Sequence, residues 1–533
     1  EGGRGAVASF RGIPYAQPPL GDRRFREAEL REAPLSAEGR AFRADQYASP
    51  CIQNPAGDPS EHPDPSAPPP SEDCLYLNVF SPNSSLPAAA AASGNSSSKR
   101  PVAVWIHGGG FCIGAASEAW YHGEDLALNQ DVVVVTLNYR LGALGFLVTD
   151  EPAAGNGGMN GIRDAVVGLE WVREHISAFG GDPERVTLFG QSSGASAVCT
   201  LSVSPLAEGL FQRAIVQSGP CVGKWGPLPA SEGRDIFRQV LKNTNTSSVE
   251  DLRKVPAELV QWPDYLMDNL TVAPYFSAYF FDEGGVVPKP PAELYKEGRI
   301  VPSELILGST TKDGTAAFYG TVPLLPNGTS PADFARAARA IWGGRRAARV
   351  MARYPLSRFS GSPQSATIQA DADEKVTCPT LGVARLALRA GRRVRAYSFQ
   401  HHTYNGCDWC LELGVCTNDR AAAATYRWAS HGADIAYVFN ARHGPDVLNG
   451  TRLECPMTDE EGEFQRGVQA LWGGFVRDGH DGIPAGAWPP FAEAAGGAGP
   501  ATLALRAPSE GGSEPVTGYK EDDCRFWETL GSL

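Results

Sequence analysis

Gly190-Gln191-Ser192-Ser193-Gly194 sets two hydroxyls between glycines, directly after the apolar run "RVTLF". A serine hydroxyl attacks a carbonyl carbon only when a base takes its proton and N–H donors stabilise the oxygen anion that forms. The pattern Gly-x-Ser-x-Gly fits a tight turn between a strand and a helix that lifts the central residue, Ser192, above the sheet edge, and small flanking residues are required because such a turn is strained. The helix that follows aims its N-terminal dipole at the developing charge. Donors come from His107-Gly108-Gly109-Gly110, placed after "VAVWI". Its glycines let backbone N–H groups approach a substrate oxygen closely.

The base must then be found. In a fold with this turn the acid and the histidine follow the serine in that order, which leaves His401, His402, His431, His443 and His480. His431 stands in "WASHGADIAYVFN", a polar loop leading into an apolar segment, and the His401-His402 pair is the next alternative.

These residues need a scaffold, and its elements can be read from periodicity. "RPVAVWIHGGG" and "DVVVVTLNYRLG" are unbroken apolar runs of strand length, the pattern of strands buried on both faces. "NGIRDAVVGLEWVREHISAFGGDP" has apolar residues at helical spacing and stops at a Gly-Gly-Asp-Pro breaker. "RVTLFG" reads as a strand, "SAVCTLSVSP" as a helix, and "ELILGSTTKDG" and "VRAYSFQ" as further strands. Alternating strands and helices imply right-handed crossovers and a mainly parallel sheet.

The chain has 533 residues, 42% of them hydrophobic, enough for a large core in one elaborated α/β unit spanning 1–533. A formal charge of −13 argues against a nucleic-acid partner, which would require a basic surface. The Arg-rich runs "GGRRAARVMAR" and "GRRVR" read as solvated positions flanking elements. No run of 18 apolar residues occurs, so no transmembrane segment is expected, and the opening "EGGRGAVASFRGIPYAQPP" resembles a domain interior rather than a signal peptide. Sequons at Asn83, Asn95, Asn245, Asn269, Asn327 and Asn449, together with 11 cysteines, point to an oxidising, secretory environment and to glycosylation. Residues 54–73, 81–101 and 496–518 are rich in Pro, Ser, Ala or Gly and read as surface insertions, and no internal repeat is found.

"FRGIPYAQPPLGDRRF", "SEDCLYLNVF", "WIHGGGF", "LNYRLGALGF", "FGGDPERVTLFGQSSGA", "AIVQSGP", "SHGADIAYVF" and "CRFWETL" together resemble the type-B carboxylesterase and cholinesterase family. They occur in the family's order and cover nearly the whole chain, short only of an N-terminal piece. The resemblance implies an α/β-hydrolase fold, with a central mostly parallel sheet flanked by helices and large loop insertions. It places Ser192 as nucleophile and His431 as base. The family's acid is usually Glu before Gly; here Asp313 precedes the matching Gly314, and the shorter carboxylate can orient an imidazole if the backbone adjusts. Asp282 and Glu283, in a segment resembling the preceding strand and turn, are weaker candidates. The implied oxyanion donors are the backbone amides of Gly109, Gly110 and Ser193. The family usually has alanine at the second serine, so Ser193 is expected to serve through its N–H and to tolerate Ala but not Pro. Neither a metal nor an organic cofactor is required; an ester and water are the partners.

The same resemblance implies disulfides Cys51–Cys74 and Cys378–Cys524. Cys112 and Cys199, in apolar motif segments, are expected as buried thiols. Cys221, Cys407, Cys410, Cys416 and Cys455 remain unassigned, and their odd number leaves at least one unpaired within the chain. "HHTYNGCDWCLELGVC" also has zinc-site spacing, but the secretory signs favour disulfides. The loop from Cys51 to Cys74 holds no aromatic residue, and "DGTAAF" puts alanines where an aromatic wall would help to hold a choline head group. General carboxylesterase or lipase-like action on uncharged esters is therefore expected over cholinesterase activity, with Phe111, Phe276, Tyr279, Phe280, Phe281 and Phe318 as pocket walls. The alternative is a non-catalytic adhesion or protein-binding domain, as in relatives that lack a member of the triad.

Overall fold

The computed structural model describes residues 6–31, 42–53, 66–87, 99–149, 157–262, 279–281, 285–314, 330–402, 429–441, 443–446, 451–454, 457–484, 486–492 and 499–531. Ten strands form the main sheet: β1 (Val7–Pro14), β2 (Tyr76–Pro82), β3 (Arg100–Ile106), β4 (Val133–Leu137), β5 (Gly181–Gln191), β6 (Arg213–Gln217), β7 (Glu304–Thr310), β8 (Arg393–Phe399), β9 (Ala501–Leu505) and β10 (Glu514–Thr517). Their spatial order is β1-β2-β4-β3-β5-β6-β7-β8-β9-β10. From β4 to β9 every neighbouring pair is parallel. Antiparallel β1, β2 and β10 close the two edges. This is the α/β-hydrolase fold.

The unbroken apolar runs have a simple cause. In β3, Val102, Val104 and Ile106 enter one hydrophobic layer, while Ala103 and Trp105 enter the other. Because side chains alternate across a strand, both faces need apolar residues when helices cover both. The flanking helices used below are α1 (Asn160–His175), α2 (Ser193–Leu201), α3 (Cys378–Arg389), α4 (Ile435–Phe439), α5 (Asp459–Asp478) and α6 (Glu521–Glu528). The Arg-rich helix Gly344–Arg353 buries only Ala347 and Val350, in keeping with solvated arginines.

Three disulfides fasten the described residues. Cys51–Cys74 and Cys378–Cys524 form as the resemblance implies, the latter tying α3 to α6. The third corrects an expectation: Cys199 is not a buried thiol but pairs with Cys221, joining α2 to the loop after β6. These residues meet because α2 runs back along β6, the strand that follows it. Cys112 is buried and outside the three bridges. Cys407, Cys410, Cys416 and Cys455 lie outside the described residues, as does most of the zinc-like stretch.

Candidate active site

β5 ends at Gln191, and the next residue turns sharply. Ser192 has φ 58° and ψ −130°, a left-handed conformation that a non-glycine residue adopts only when its surroundings hold it there. Its N–H donates to the carbonyl of Gln217 at the end of β6 (2.9 Å), and α2 begins at Ser193. The turn lies against β3 so closely that a Cβ on Gly194 would stand 2.2 Å from the Ile106 carbonyl oxygen, and one on Gly190 2.7 Å from the same atom. That crowding, more than conformational freedom, is why both flanking positions are glycine.

The loop after β3 comes up beside the turn. A Cβ on Gly108 would be 3.1 Å from the Ser192 Cβ. Gly109, Gly110 and Phe111 have φ of 102°, 63° and 60°, so three successive residues hold the loop in the left-handed region. Among the described residues, the N–H groups of Gly109, Gly110 and Ser193 donate to no protein acceptor.

Asp313 and His431 are 118 positions apart but meet because their loops pair. Lys312 and Ser430 form a single parallel bridge, with the Lys312 N–H donating to the Ala429 carbonyl at 3.0 Å. One residue further along each chain, His431 Nδ1 stands 2.7 Å from Asp313 Oδ1. The other carboxylate oxygen accepts from the Thr310 N–H at 2.8 Å, and Asp313 is 1% exposed. The imidazole Nε2 lies 3.1 Å from Gln191 Nε2. With Nδ1–H donating to Asp313, a neutral ring carries its lone pair on Nε2, turned toward the elbow residue Gln191. No hydrogen bond between Ser192 Oγ and His431 forms among the described residues; such contacts tighten when substrate binds. The Trp225 ring meets the imidazole edge-on, with centroids 5.7 Å apart.

Several residues of this site escaped the sequence reading. Asp434, three positions after His431, is fully buried and accepts from Tyr397 Oη (2.6 Å) and Gln217 Nε2 (3.0 Å). Burial pushes its carboxyl above the usual range, and the Asp313 charge adds to this. Gln217 Oε1 accepts from the Trp472 indole N–H of α5 at 3.1 Å. Gln217 therefore touches the elbow through its backbone and the histidine loop through its side chain. Its only sequence signal is its place in "AIVQSGP".

The other histidines are occupied elsewhere. His401 Nδ1 lies 2.8 Å from Glu510 Oε2, and the His402 N–H donates to the other oxygen of that carboxylate. Burial, reinforced by the charges of Arg395 and Arg393, holds the His480 imidazole down at about 4. For His443 only the backbone is described. Asp282, Glu283, Phe276 and Phe318 lie outside the described residues, as do Asn95, Asn269, Asn327 and Asn449. Asn83 and Asn245 are exposed. Phe111, Tyr279 and Phe280 are packed in the core, Tyr279 against the Phe111 ring, and Phe281 lies partly buried against that core.

His107 gives the site a pH limit. It is 1% exposed, its ring stacks on Tyr139 at 4.4 Å, and its Nδ1–H donates to the Gly108 carbonyl at 2.8 Å. Desolvation pulls its pKa from 6.5 to about 4. Between those values the unfolded chain holds a proton that the folded one refuses. The stabilisation is thus complete above pH 6.5 and is lost as pH falls toward 4, amounting to ~3 kcal/mol. Urea titrations should show the unfolding midpoint dropping across that window, with a shallower drop in His107→Asn.

Comparison with known proteins adds an independent line. The carboxylesterase family model matches residues 1–527. The chain is 32% identical over 497 residues to a para-nitrobenzyl esterase of Bacillus subtilis (strain 168), covering 91% of this chain and 89% of that protein. It is 30% identical over 512 residues to a cholinesterase of Mus musculus, covering 91% and 78%. Among solved structures, a thermophilic PNB esterase superposes with a TM-score of 0.75 at 27% identity, over 98% of this chain and 96% of that one.

Proposed function

The chain belongs to the carboxylesterase family, and from that premise we propose that Ser192 is its nucleophile, His431 its general base and Asp313 the carboxylate that orients the base. The protein is a carboxylic ester hydrolase of the serine type. The observation that supports the residue assignment is the 2.7 Å contact of Asp313 with His431 Nδ1, which leaves Nε2 to face the elbow carrying Ser192.

Ser192 Oγ attacks the ester carbonyl as His431 Nε2 takes its proton, and Asp313 stabilises the imidazolium without accepting that proton. The oxyanion is received by the backbone N–H groups of Gly109, Gly110 and Ser193, which have no competing acceptor among the described residues. Collapse expels the alcohol, protonated by His431, and leaves an acyl-enzyme. Water, deprotonated by His431, then releases the acid and restores Ser192. The chain acts as one domain over 1–533. Three disulfides and the exposed sequons at Asn83 and Asn245 favour a secretory location.

The substrates are uncharged esters rather than choline esters, because the Cys51–Cys74 loop offers no aromatic face for a quaternary ammonium. A panel of p-nitrophenyl esters graded in acyl length, run beside the matching choline esters, tests this. The neutral esters should show at least a tenfold higher kcat/KM, a gap of about 1.4 kcal/mol. A preference for the choline esters would overturn this choice of substrate.

A further inference from the structure

The hydroxyl of Ser193 is not idle. Its Oγ accepts from the Phe111 N–H at 3.1 Å, across 82 positions of chain and in a fully buried setting. Phe111 needs such a partner. Its φ of 60° is unfavourable for an aromatic residue and is held only by what surrounds it. Its carbonyl accepts from the Gly142 N–H at 2.7 Å, and its ring packs against Phe146 and Tyr279 with centroids 4.9 and 5.0 Å away. The bond from Ser193 holds its one remaining backbone group, at the end of the glycine loop.

The start of the loop is held in a matching way. Tyr139 Oη donates to the His107 carbonyl at 2.9 Å, and its ring lies under the His107 ring. Tyr139 thus holds one end of the loop and Ser193 the other.

We propose that Ser193 and Tyr139 are positioning residues for the oxyanion hole: their side-chain hydroxyls clamp the two ends of the His107–Phe111 loop against the elbow, so that the Gly109 and Gly110 N–H groups stay aligned with that of Ser193. The inference rests on the oxyanion hole assigned above and replaces the expectation that the Ser193 side chain is dispensable. Neither hydroxyl touches substrate. Their loss should show in the transition state rather than in substrate binding, because misaligned donors fail only when charge develops.

The test compares Ser193→Ala and Tyr139→Phe with the unaltered enzyme, using kcat, KM and the inhibition constant of an aryl trifluoromethyl ketone, whose hemiketal with Ser192 places an oxyanion in the hole. Each variant should lose about five- to tenfold in kcat and in ketone affinity together, the weight of one buried neutral hydrogen bond, with KM within twofold. The double variant should lose less than the product of the single losses, since the two hydroxyls brace one loop. Unchanged kcat and ketone affinity in folded Ser193→Ala and Tyr139→Phe would overturn the clamp, as would a loss confined to KM. An unaltered enzyme that forms no hemiketal would instead overturn the assignment of Ser192 and the hole.

Discussion

Ser192→Ala will take no label from a fluorophosphonate probe under conditions in which the unaltered protein is modified once per chain, and its ester turnover will fall by roughly 10⁴- to 10⁶-fold. The size of the effect follows from what the rest of the site can do alone. The glycine loop and the dipole of α2 can still polarise a bound carbonyl, but no oxygen is held against it in the left-handed turn. The substitution removes one oxygen from a residue 8% exposed, so the fold should persist and thermal unfolding should stay within a few degrees. Peptide mapping of the labelled parent should place the adduct in the segment around residue 192. An adduct on Ser193, or labelling that survives in Ser192→Ala, would reassign the nucleophile.

Asp313→Asn should cost about 10⁴-fold in kcat while leaving the fold intact. The carboxylate accepts two hydrogen bonds, from His431 Nδ1–H and from the Thr310 N–H. An amide can satisfy the backbone donor with its oxygen, but it then presents NH₂ to the imidazole. The ring must turn its lone pair to Nδ1, and Nε2 becomes an N–H that can no longer receive the Ser192 proton. Because the damage in Asp313→Asn is to the tautomer and not to the packing, its thermal unfolding should stay close to that of the unaltered protein. Asp434→Asn separates the two neighbouring carboxyls: it keeps an acceptor for Tyr397 and Gln217 and should leave far more activity. If Asp313→Asn were nearly normal, the acid would have to be sought elsewhere.

How much of this was legible in advance depended on whether a feature was local. Strands β3 and β4 were readable because both faces are covered, so each appears as an apolar run rather than an alternation, and β5, β7 and β8 were read as strands beside them, whereas β6 entered only as part of the motif "AIVQSGP". The elbow was readable because its two glycines and the serine they flank fall within five residues, although the crowding that requires those glycines comes from Ile106 in β3. The disulfides Cys51–Cys74 and Cys378–Cys524, and the roles expected of Asp313 and His431, came from resemblance and not from any local pattern. What the sequence concealed are contacts made only after folding: Gln191 against His431, Gln217 against Asp434, and the Ser193 hydroxyl against Phe111. None has a periodicity, and each joins segments that only the sheet order makes neighbours. Cys199 illustrates the same limit. Its apolar helical setting reads as a buried thiol, and nothing near it indicates that Cys221 returns beside it from the next strand.

The Cys199–Cys221 bridge also bears on how the protein is made. Both sulfurs lie in fully buried residues, one on the helix that starts at the elbow and the other on the loop leading to Trp225. Oxidants and isomerases reach thiols only while the chain is still open, so this bond must be closed before α2 settles onto the sheet. A host that keeps nascent chains reduced would deliver molecules with both thiols sealed inside, and oxidation added after purification would arrive too late. The choice of expression compartment thus decides which covalent form of the enzyme reaches the bench.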